Sequence, residues 1–158
     1  MQKVTILCTG KLKEKFYLDA VAEYVKRLSR FCKLEIIELP EERLPEDPSP
    51  AQIEAALSKE ADAVRAKLPN GCLVIAMCVE GRERSSEELA RYLADSAAQG
   101  ASHIVFLIGS SFGMHESLKR QAALRLSMSP MTFPHHLLRV MLLEQIYPAY
   151  QTTAGSRS

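Results

Sequence analysis

The sequence lacks an excess of either charge: lysine and arginine total 20 against 19 for aspartate and glutamate, for a formal net charge of +1. No overall field draws such a protein to a polyanion, so any contact with nucleic acid has to come from a local patch. Long apolar runs are missing too. The N-terminal run, Val4 to Cys8, is far too short for a secretory signal, and no later stretch approaches a membrane span. A cytoplasmic protein with no membrane partner is therefore expected. The four cysteines, Cys8, Cys32, Cys72 and Cys78, form no C-x-x-C pair. Three lie in apolar runs, where a thiol serves as a small hydrophobe, and a reducing compartment disfavours disulfides. There is no internal repeat and no low-complexity tract, and 158 residues suffice for one domain, 1–158, with a continuous core.

The common catalytic signatures are absent as well. Without G-x-G-x-x-G or a Walker A loop, dinucleotide and phosphate-cradling chemistry is weakly supported, and without G-x-S-x-G hydrolysis at a nucleophile elbow is not indicated. No H-x-x-x-H or Cys/His cluster occurs. His135 and His136 are adjacent, a spacing that rarely converges on one ion, so no metal is expected.

What the sequence does contain is an alternation of strand-like and helix-like patterns, which predicts an α/β fold with a parallel sheet flanked by helices. Val4 to Cys8 reads as the first strand, stopped by Gly10. Leu18, Val21, Ala22, Val25 and Leu28 recur at helical spacing and line one face. Leu34 to Leu39 reads as a second strand and the proline-rich stretch from Pro40 to Pro50 as a surface connection. Ser49 and Pro50 open a helix with a stripe of Ile53, Leu57, Val64 and Leu68. Cys72 to Val79 has the continuous apolar character of a central parallel strand, ended by Glu80-Gly81. Ser85 and Glu88 have capping-box spacing, and Gly100 stands where a left-handed C-terminal cap belongs.

A fourth strand, Ile104 to Ile108, runs into Gly109-Ser110-Ser111-Phe112-Gly113, and Glu116 to Leu126 reads as a helix. Two prolines between Met128 and His136 allow only a short strand bracketed by constrained loops. The last helix, Leu137 to Tyr147, is apolar around most of its circumference, which requires burial on more than one side, by its own chain and by a second copy.

Three features bear on chemistry, each with an ordinary structural alternative. The glycine-rich turn from Gly109 to Gly113 lies between a buried strand and a helix, where open α/β sheets bind ligands, though the same residues also make a plain strand-to-helix turn. A ligand without phosphate, such as S-adenosylmethionine, would need only close backbone approach. His135 suits a proton carrier or an RNA contact, or simply caps the helix it precedes; Arg139, four residues on, shares its face or points to solvent. Lys11, Lys13 and Lys15, with Lys26, Arg27, Arg30 and Lys33, form either a solvated surface or the best available phosphate contact.

These same residues carry a resemblance. Gly10-Lys11-Leu12-Lys13-Glu14-Lys15, Ile108-Gly109-Ser110 with Phe112-Gly113, Met131-Thr132-Phe133-Pro134-His135, Arg139-Val140 and Glu144-Gln145-Ile146-Tyr147 look like the ribosomal RNA large subunit methyltransferase H family, over essentially the whole chain. The C-terminal block is the specific part. The resemblance implies the SPOUT class: an α/β domain with a C-terminal deep trefoil knot, an exception to ordinary chain topology, that binds S-adenosyl-L-methionine and forms a homodimer. It further implies N3-methylation of a pseudouridine in large-subunit ribosomal RNA within the ribosome. By position the cofactor contacts would be Met77, Gly109 and the segment Met128, Ser129, Pro130, Met131, Thr132 and Phe133.

Methylation at an imide nitrogen requires removal of its proton, and on that ground His135 is the expected base and Arg139 the expected electrostatic or RNA-anchoring group. Family members usually finish with a Tyr-His-basic tail after the segment matching Ala154 to Ser158, where this sequence stops. If that tail belongs to the site, the expectation is a chain that keeps cofactor affinity and loses most methyl transfer. Two other readings compete, a non-catalytic ribosome-associated RNA-binding protein and a small nucleotide-binding oxidoreductase.

Overall fold

A computed structural model describes the backbone of residues 2–156 and the side chains of residues 2–151. The segment Ala154 to Ser158, where the family tail would follow, has its side chains outside the described residues. The element order is β1 (Lys3–Thr9), α1 (Lys15–Leu28), β2 (Lys33–Leu39), α2 (Pro50–Lys67), β3 (Leu73–Glu83), α3 (Ser86–Ala98), β4 (His103–Ile108), α4 (Glu116–Gln121), β5 (Leu124–Ser127) and α5 (His135–Ser156).

The five strands form one sheet in the order β2-β1-β4-β3-β5, and every neighbouring pair is parallel. Strand side chains alternate between two cores. Ile6, Ile75, Phe106 and Leu126 pack with Leu28, Leu93 and Leu143 from α1, α3 and α5 on one face. Leu7, Ala76 and Leu107 pack with Ala61, Val64 and Leu118 from α2 and α4 on the other. The two faces follow from handedness. A parallel crossover is almost always right-handed, so the connections β1→β2 and β3→β4, which step one way along the sheet, use one face. The connections β2→β3 and β4→β5, which step back, use the other.

Both expected helix starts carry their caps. Ser49 accepts from Gln52 N–H and Ser85 from Glu88 N–H, each as a reciprocal capping box. Gly100 takes φ +97, as a left-handed cap requires.

Four expectations are corrected. β3 does not stop at Glu80-Gly81 but continues to Glu83, with its pairing to β5 shifted in register between Met77 and Arg82. A β-carbon on Gly81 would stand 2.9 Å from the Arg125 carbonyl, so the glycine lets the two strands close up beyond the irregularity. The helix expected to run to Leu126 ends at Gln121. Its last apolar residues alternate rather than wind, and Leu124 and Leu126 enter the core as β5, with Ala123 N–H donating to the Val74 carbonyl at 2.8 Å. The short strand expected after Met128 is accordingly a loop. The stripe drawn for α2 shifts as well: Ala56, Glu60, Ala61 and Val64 are buried, while Ile53, Leu57 and Leu68 are half-buried.

On α1 only Leu28 is fully buried, and Leu18 stays 45% exposed because α5 covers only part of that helix. α5 is longer than its apolar core suggested and accommodates Pro148 internally. Leu142, Leu143, Ile146 and Ala149 are buried under it, whereas Leu137, Leu138, Val140, Met141 and Tyr147 remain half-buried. The helix thus seals the core between α1 and α3 and keeps an apolar flank of its own.

Leu143→Ala should lower the free energy of unfolding by about 2–5 kcal/mol, the ordinary cost of emptying a fully buried leucine site. Urea unfolding followed by circular dichroism measures it, and a cost under about 0.5 kcal/mol, as at a surface site, would show that α5 is not part of the core.

Candidate functional site

Strand β4 ends in a turn held by its own backbone: Ser110 N–H donates to the Gly113 carbonyl at 3.0 Å and Gly113 N–H to the Ser110 carbonyl at 2.9 Å. Two glycines make this possible. Gly113 sits at φ +93, and a β-carbon on Gly109 would lie 2.3 Å from the Gly113 oxygen, where no atom fits. The turn is then anchored from two sides by glutamates. Glu60, buried on α2, accepts from the Ser110 hydroxyl at 2.8 Å and from Glu42 N–H at 2.9 Å; burial pushes its carboxyl above the usual range. Glu41 accepts from Ser111 N–H at 2.9 Å.

Beside this turn, at the C-terminal ends of β3, β4 and β5, lies a cavity of about 780 Å³. Its walls come from Met77 to Glu80, from Ile108 to Met114, and from the loop between β5 and α5, closed by Leu138 of α5. Most of the lining is apolar, including Met77, Met128, Met131 and Phe133. Among the described lining residues the one lysine, Lys119, is ion-paired with Glu80, so the cavity offers little free positive charge.

A second hollow of about 580 Å³ opens at the ends of β1 and β2, lined by Lys11, Lys13, Glu38, Leu39, Pro40, Glu41, Ser111, His135 and His136. Ser111 and His135 line both spaces and form a shared wall. His135 begins α5, and its Nε2 is sealed from solvent with no hydrogen-bond partner among the described residues. It faces Gly10, which takes φ +128; a β-carbon there would stand 3.2 Å from Nε2. Burial, then the neighbouring His136 and more weakly Arg139, push the His135 pKa below its ordinary value against the opposing charges of Glu41 and Glu14, which favours the uncharged ring. His136 stacks on it edge-on at 4.2 Å and pairs with Glu14 at 3.4 Å.

Arg139 lies one helical turn further on and is 2% exposed. Its Nη1 donates to Glu38 Oε2 at 2.6 Å and its Nη2 to the Gly10 carbonyl at 3.3 Å, while the same Glu38 oxygen accepts from Leu12 N–H at 2.9 Å. The pair therefore clamps the lysine-bearing loop after β1 onto α5. Burial alone would raise the Glu38 carboxyl, but the hydrogen bonds from Arg139 and Leu12 and the Arg139 charge outweigh it, and the net shift is downward. Cys8 beside this pair is a buried thiol pushed up to about 12, without nucleophilic character.

Of the residues singled out in the sequence, Met77, Gly109, Met128, Ser129, Met131, Thr132, Phe133 and His135 meet around the larger cavity. Pro130 is exposed beside it, outside the lining, and Arg139 is buried behind the second hollow rather than facing either space. Sequence reasoning missed Glu38, Glu41 and Glu60. Nothing in a strand glutamate, a loop glutamate or a mid-helix glutamate distinguishes it from a solvated one, and the only usable signal was Glu60 falling on the apolar side of α2. Among the described residues no cluster of three or more His, Cys, Asp or Glu could hold a metal ion.

The family described as Predicted SPOUT methyltransferase matches residues 2–157. A ribosomal RNA large subunit methyltransferase H of Streptococcus uberis is 45% identical over 154 residues, covering 98% of this chain and 97% of the relative. Proteins of the same name from Bifidobacterium adolescentis and Lactobacillus delbrueckii subsp. bulgaricus are 44% and 42% identical over 153 residues, covering 97% of this chain and 96% of each relative.

Glu38→Gln should cost about 1.5–3 kcal/mol of stability at neutral pH, the range for a hydrogen bond to a charged group. Because the folded-state carboxyl is lowered, its contribution is complete above the ordinary glutamate value of about 4.3 and is lost as pH falls through the lowered one. Urea unfolding of the two proteins should therefore show a gap at about pH 7 that narrows towards about pH 3. A gap of constant size would locate the stabilisation elsewhere.

Proposed function

The chain belongs to the SPOUT methyltransferase family, and from that premise we propose that it transfers the methyl group of S-adenosylmethionine to N3 of a pseudouridine in large-subunit ribosomal RNA. The observation that carries this reading is the 780 Å³ cavity at the strand ends, with Gly109 at the one point where a β-carbon would collide with the turn. Open α/β sheets bind ligands at this edge. Its mostly apolar lining and its paired lysine suit a ligand that carries an adenine ring and no phosphate. Met77, Gly109 and the segment Met128 to Phe133 would hold it, with the methionines and Phe133 around the ring and Pro130 stiffening the loop. When bound, the cofactor supplies an electrophilic methyl group whose leaving group departs uncharged.

The chain's own residues divide the remaining tasks. His135, in the wall shared by both spaces, stands where donor and acceptor sides adjoin, and its lowered pKa favours the uncharged ring that does not repel an incoming sulfonium. Arg139 acts from behind, fixing the Gly10 to Leu12 backbone rather than touching RNA. Lys11 and Lys13 at the open rim are the phosphate contacts. With a net charge of only +1 the patch is weak, which favours ribosomal RNA within an assembled particle, in the cytoplasm, over a free hairpin. The half-buried apolar flank of α5 supports a homodimer, and the loop from Met128 to Pro134 is the segment the SPOUT trefoil knot would involve.

Calorimetric titration with S-adenosylmethionine should show binding that a chelator leaves unchanged, and Gly109→Val should weaken it at least about tenfold, a loss of about 1.4 kcal/mol. Methyl incorporation should be higher into ribosomes lacking the modification than into a bare RNA hairpin. Failure of the wild-type chain to bind the cofactor, or binding that requires zinc, would overturn the reading. Light scattering at micromolar concentration should give the mass of a dimer, and Met141→Glu, on the half-buried flank of α5, should abolish dimerisation; a wild-type monomer would remove the homodimer from the reading.

A further inference from the structure

The hollow at the ends of β1 and β2 lies at a reversal in the chain path. β1 and β4 are neighbours in the sheet, yet β1 leads into α1 on one face and β4 into α4 on the other, so their following loops part and leave a crevice between them. Such a reversal is where open α/β sheets accept ligands, independently of the larger cavity beyond β4. The crevice is built rather than incidental. Gly10, next to the lining residue Lys11, is held at φ +128, and the position a β-carbon would take is 3.2 Å from His135 Nε2 and 3.8 Å from Glu41 Oε2. Any side chain at residue 10 would fill the space between an imidazole and a carboxylate.

The polar groups around it are unequally committed. Glu38 is spent on Arg139 and Leu12, and His136 faces Glu14. Glu41 uses Oε1 on Ser111 N–H, and no hydrogen bond to Oε2 occurs among the described residues. His135 Nε2 is sealed against Gly10. Lys11 and Lys13 are exposed and form no ion pair among the described residues. An acceptor oxygen beside an apolar wall of Leu39 and Pro40, with two free ammonium groups at the mouth, calls for a flat ligand with an N–H on its edge and an anion on its tail.

We propose that this hollow is the seat of the acceptor nucleotide, a pyrimidine with an imide N–H, in which Glu41 Oε2 accepts the ring N3–H and takes that proton as N3 receives the methyl group and the sulfonium leaves as a neutral thioether, while Lys11 and Lys13 meet the nucleotide's phosphate. The assignment rests on the methyl-transfer reading, because the shared wall of Ser111 and His135 is what brings this seat next to the cofactor cavity. It makes Glu41 the residue that distinguishes a uracil-type ring from cytosine, whose N3 is itself an acceptor and would face the carboxylate with no proton between them. It also couples the two sites, since the other oxygen of the same carboxylate holds Ser111 in the glycine turn that walls the cofactor cavity.

The test uses the full chain with uridine 5′-monophosphate as probe, followed by NMR titration, and compares cytidine 5′-monophosphate, uridine and inorganic phosphate. Uridine 5′-monophosphate should bind about tenfold more tightly than the cytidine nucleotide, the discrimination expected of one well-placed polar contact. Glu41→Gln keeps an oxygen for Ser111 and adds an N–H that cytosine can use, so it should erase or reverse that preference. Lys11→Ala with Lys13→Ala should weaken the nucleotide and leave the nucleoside unchanged. Equal binding of the two nucleotides to the wild-type chain, an unaltered preference in Glu41→Gln, or saturation by inorganic phosphate as tight as by the nucleotide would overturn the assignment. S-adenosylmethionine binding is measured in parallel on each protein. Retained cofactor binding with no nucleotide preference defeats the seat alone, whereas loss of cofactor binding in the wild-type chain defeats the methyl-transfer reading and leaves the preference to be judged by itself.

Discussion

The placement of everything around the functional edge depends on one buried charge. Arg139 brings a guanidinium to 2% exposure inside α5, and such a group is tolerated only where it is paired and hydrogen-bonded. Its partners are Glu38 at the end of β2 and the Gly10 carbonyl at the end of β1, so the need to satisfy one charge ties the last helix to the first two strands. The start of α5 is thereby held over the lysine-bearing loop, and His135, one turn earlier, is pressed against Gly10. A lysine would not substitute. The planar fork lets one oxygen of Glu38 and one carbonyl be met from different nitrogens at once.

Handedness does the rest of the arrangement. Because right-handed crossovers send alternate connections to opposite faces, the C-terminal edge of the sheet is parted on both sides of β4. The two hollows are the two partings, and the short turn after β4 is their common wall. That turn is narrow because Gly109 and Gly113 allow it to be, and it is held from outside by Glu41 and Glu60, one on either side of the backbone it anchors. Glu60 is the costlier of the two, since its burial raises the energy of its charged form. Its two hydrogen bonds, to a hydroxyl and to a backbone amide, offset that cost.

Electrostatically the molecule is built for local contacts. Near-neutral overall, it keeps the larger cavity short of free positive charge and concentrates unpaired lysines at the mouth of the smaller hollow. Under the proposed reading, that division admits a cationic, phosphate-free cofactor on one side and a polyanion on the other without drawing the polyanion into both. The match over residues 2–157 to the SPOUT methyltransferases places this arrangement in a family whose named relatives act on ribosomal RNA.

The sequence by itself determined the alternation of elements, the capping boxes at Ser49 and Ser85, the left-handed cap at Gly100, and the two-sided burial that gives β3 and β4 their apolar runs. These are properties of neighbours within a turn or a strand, and periodicity reports them directly. It also singled out the turn Gly109 to Gly113 and the two-proline stretch Met128 to His136, because glycine and proline restrict the chain in ways visible one residue at a time, while the narrower set of Met77, Gly109 and Met128 to Phe133 came from the family resemblance. Tertiary structure alone decided the rest. Leu124 to Ser127 carry too few residues to be told from the end of a helix, and became a strand because β3 offered an unpaired edge extended past Gly81. Arg139, read as a surface or RNA-facing cation, was buried because Glu38 and the Gly10 carbonyl converge on it from residues 101 and 129 positions away in the chain. Glu41 and Glu60 acquired roles by the same route. A carboxylate's function is set by which donor comes to it, and for these the donors arrive from the turn after β4, across a distance that no pattern in the sequence spans.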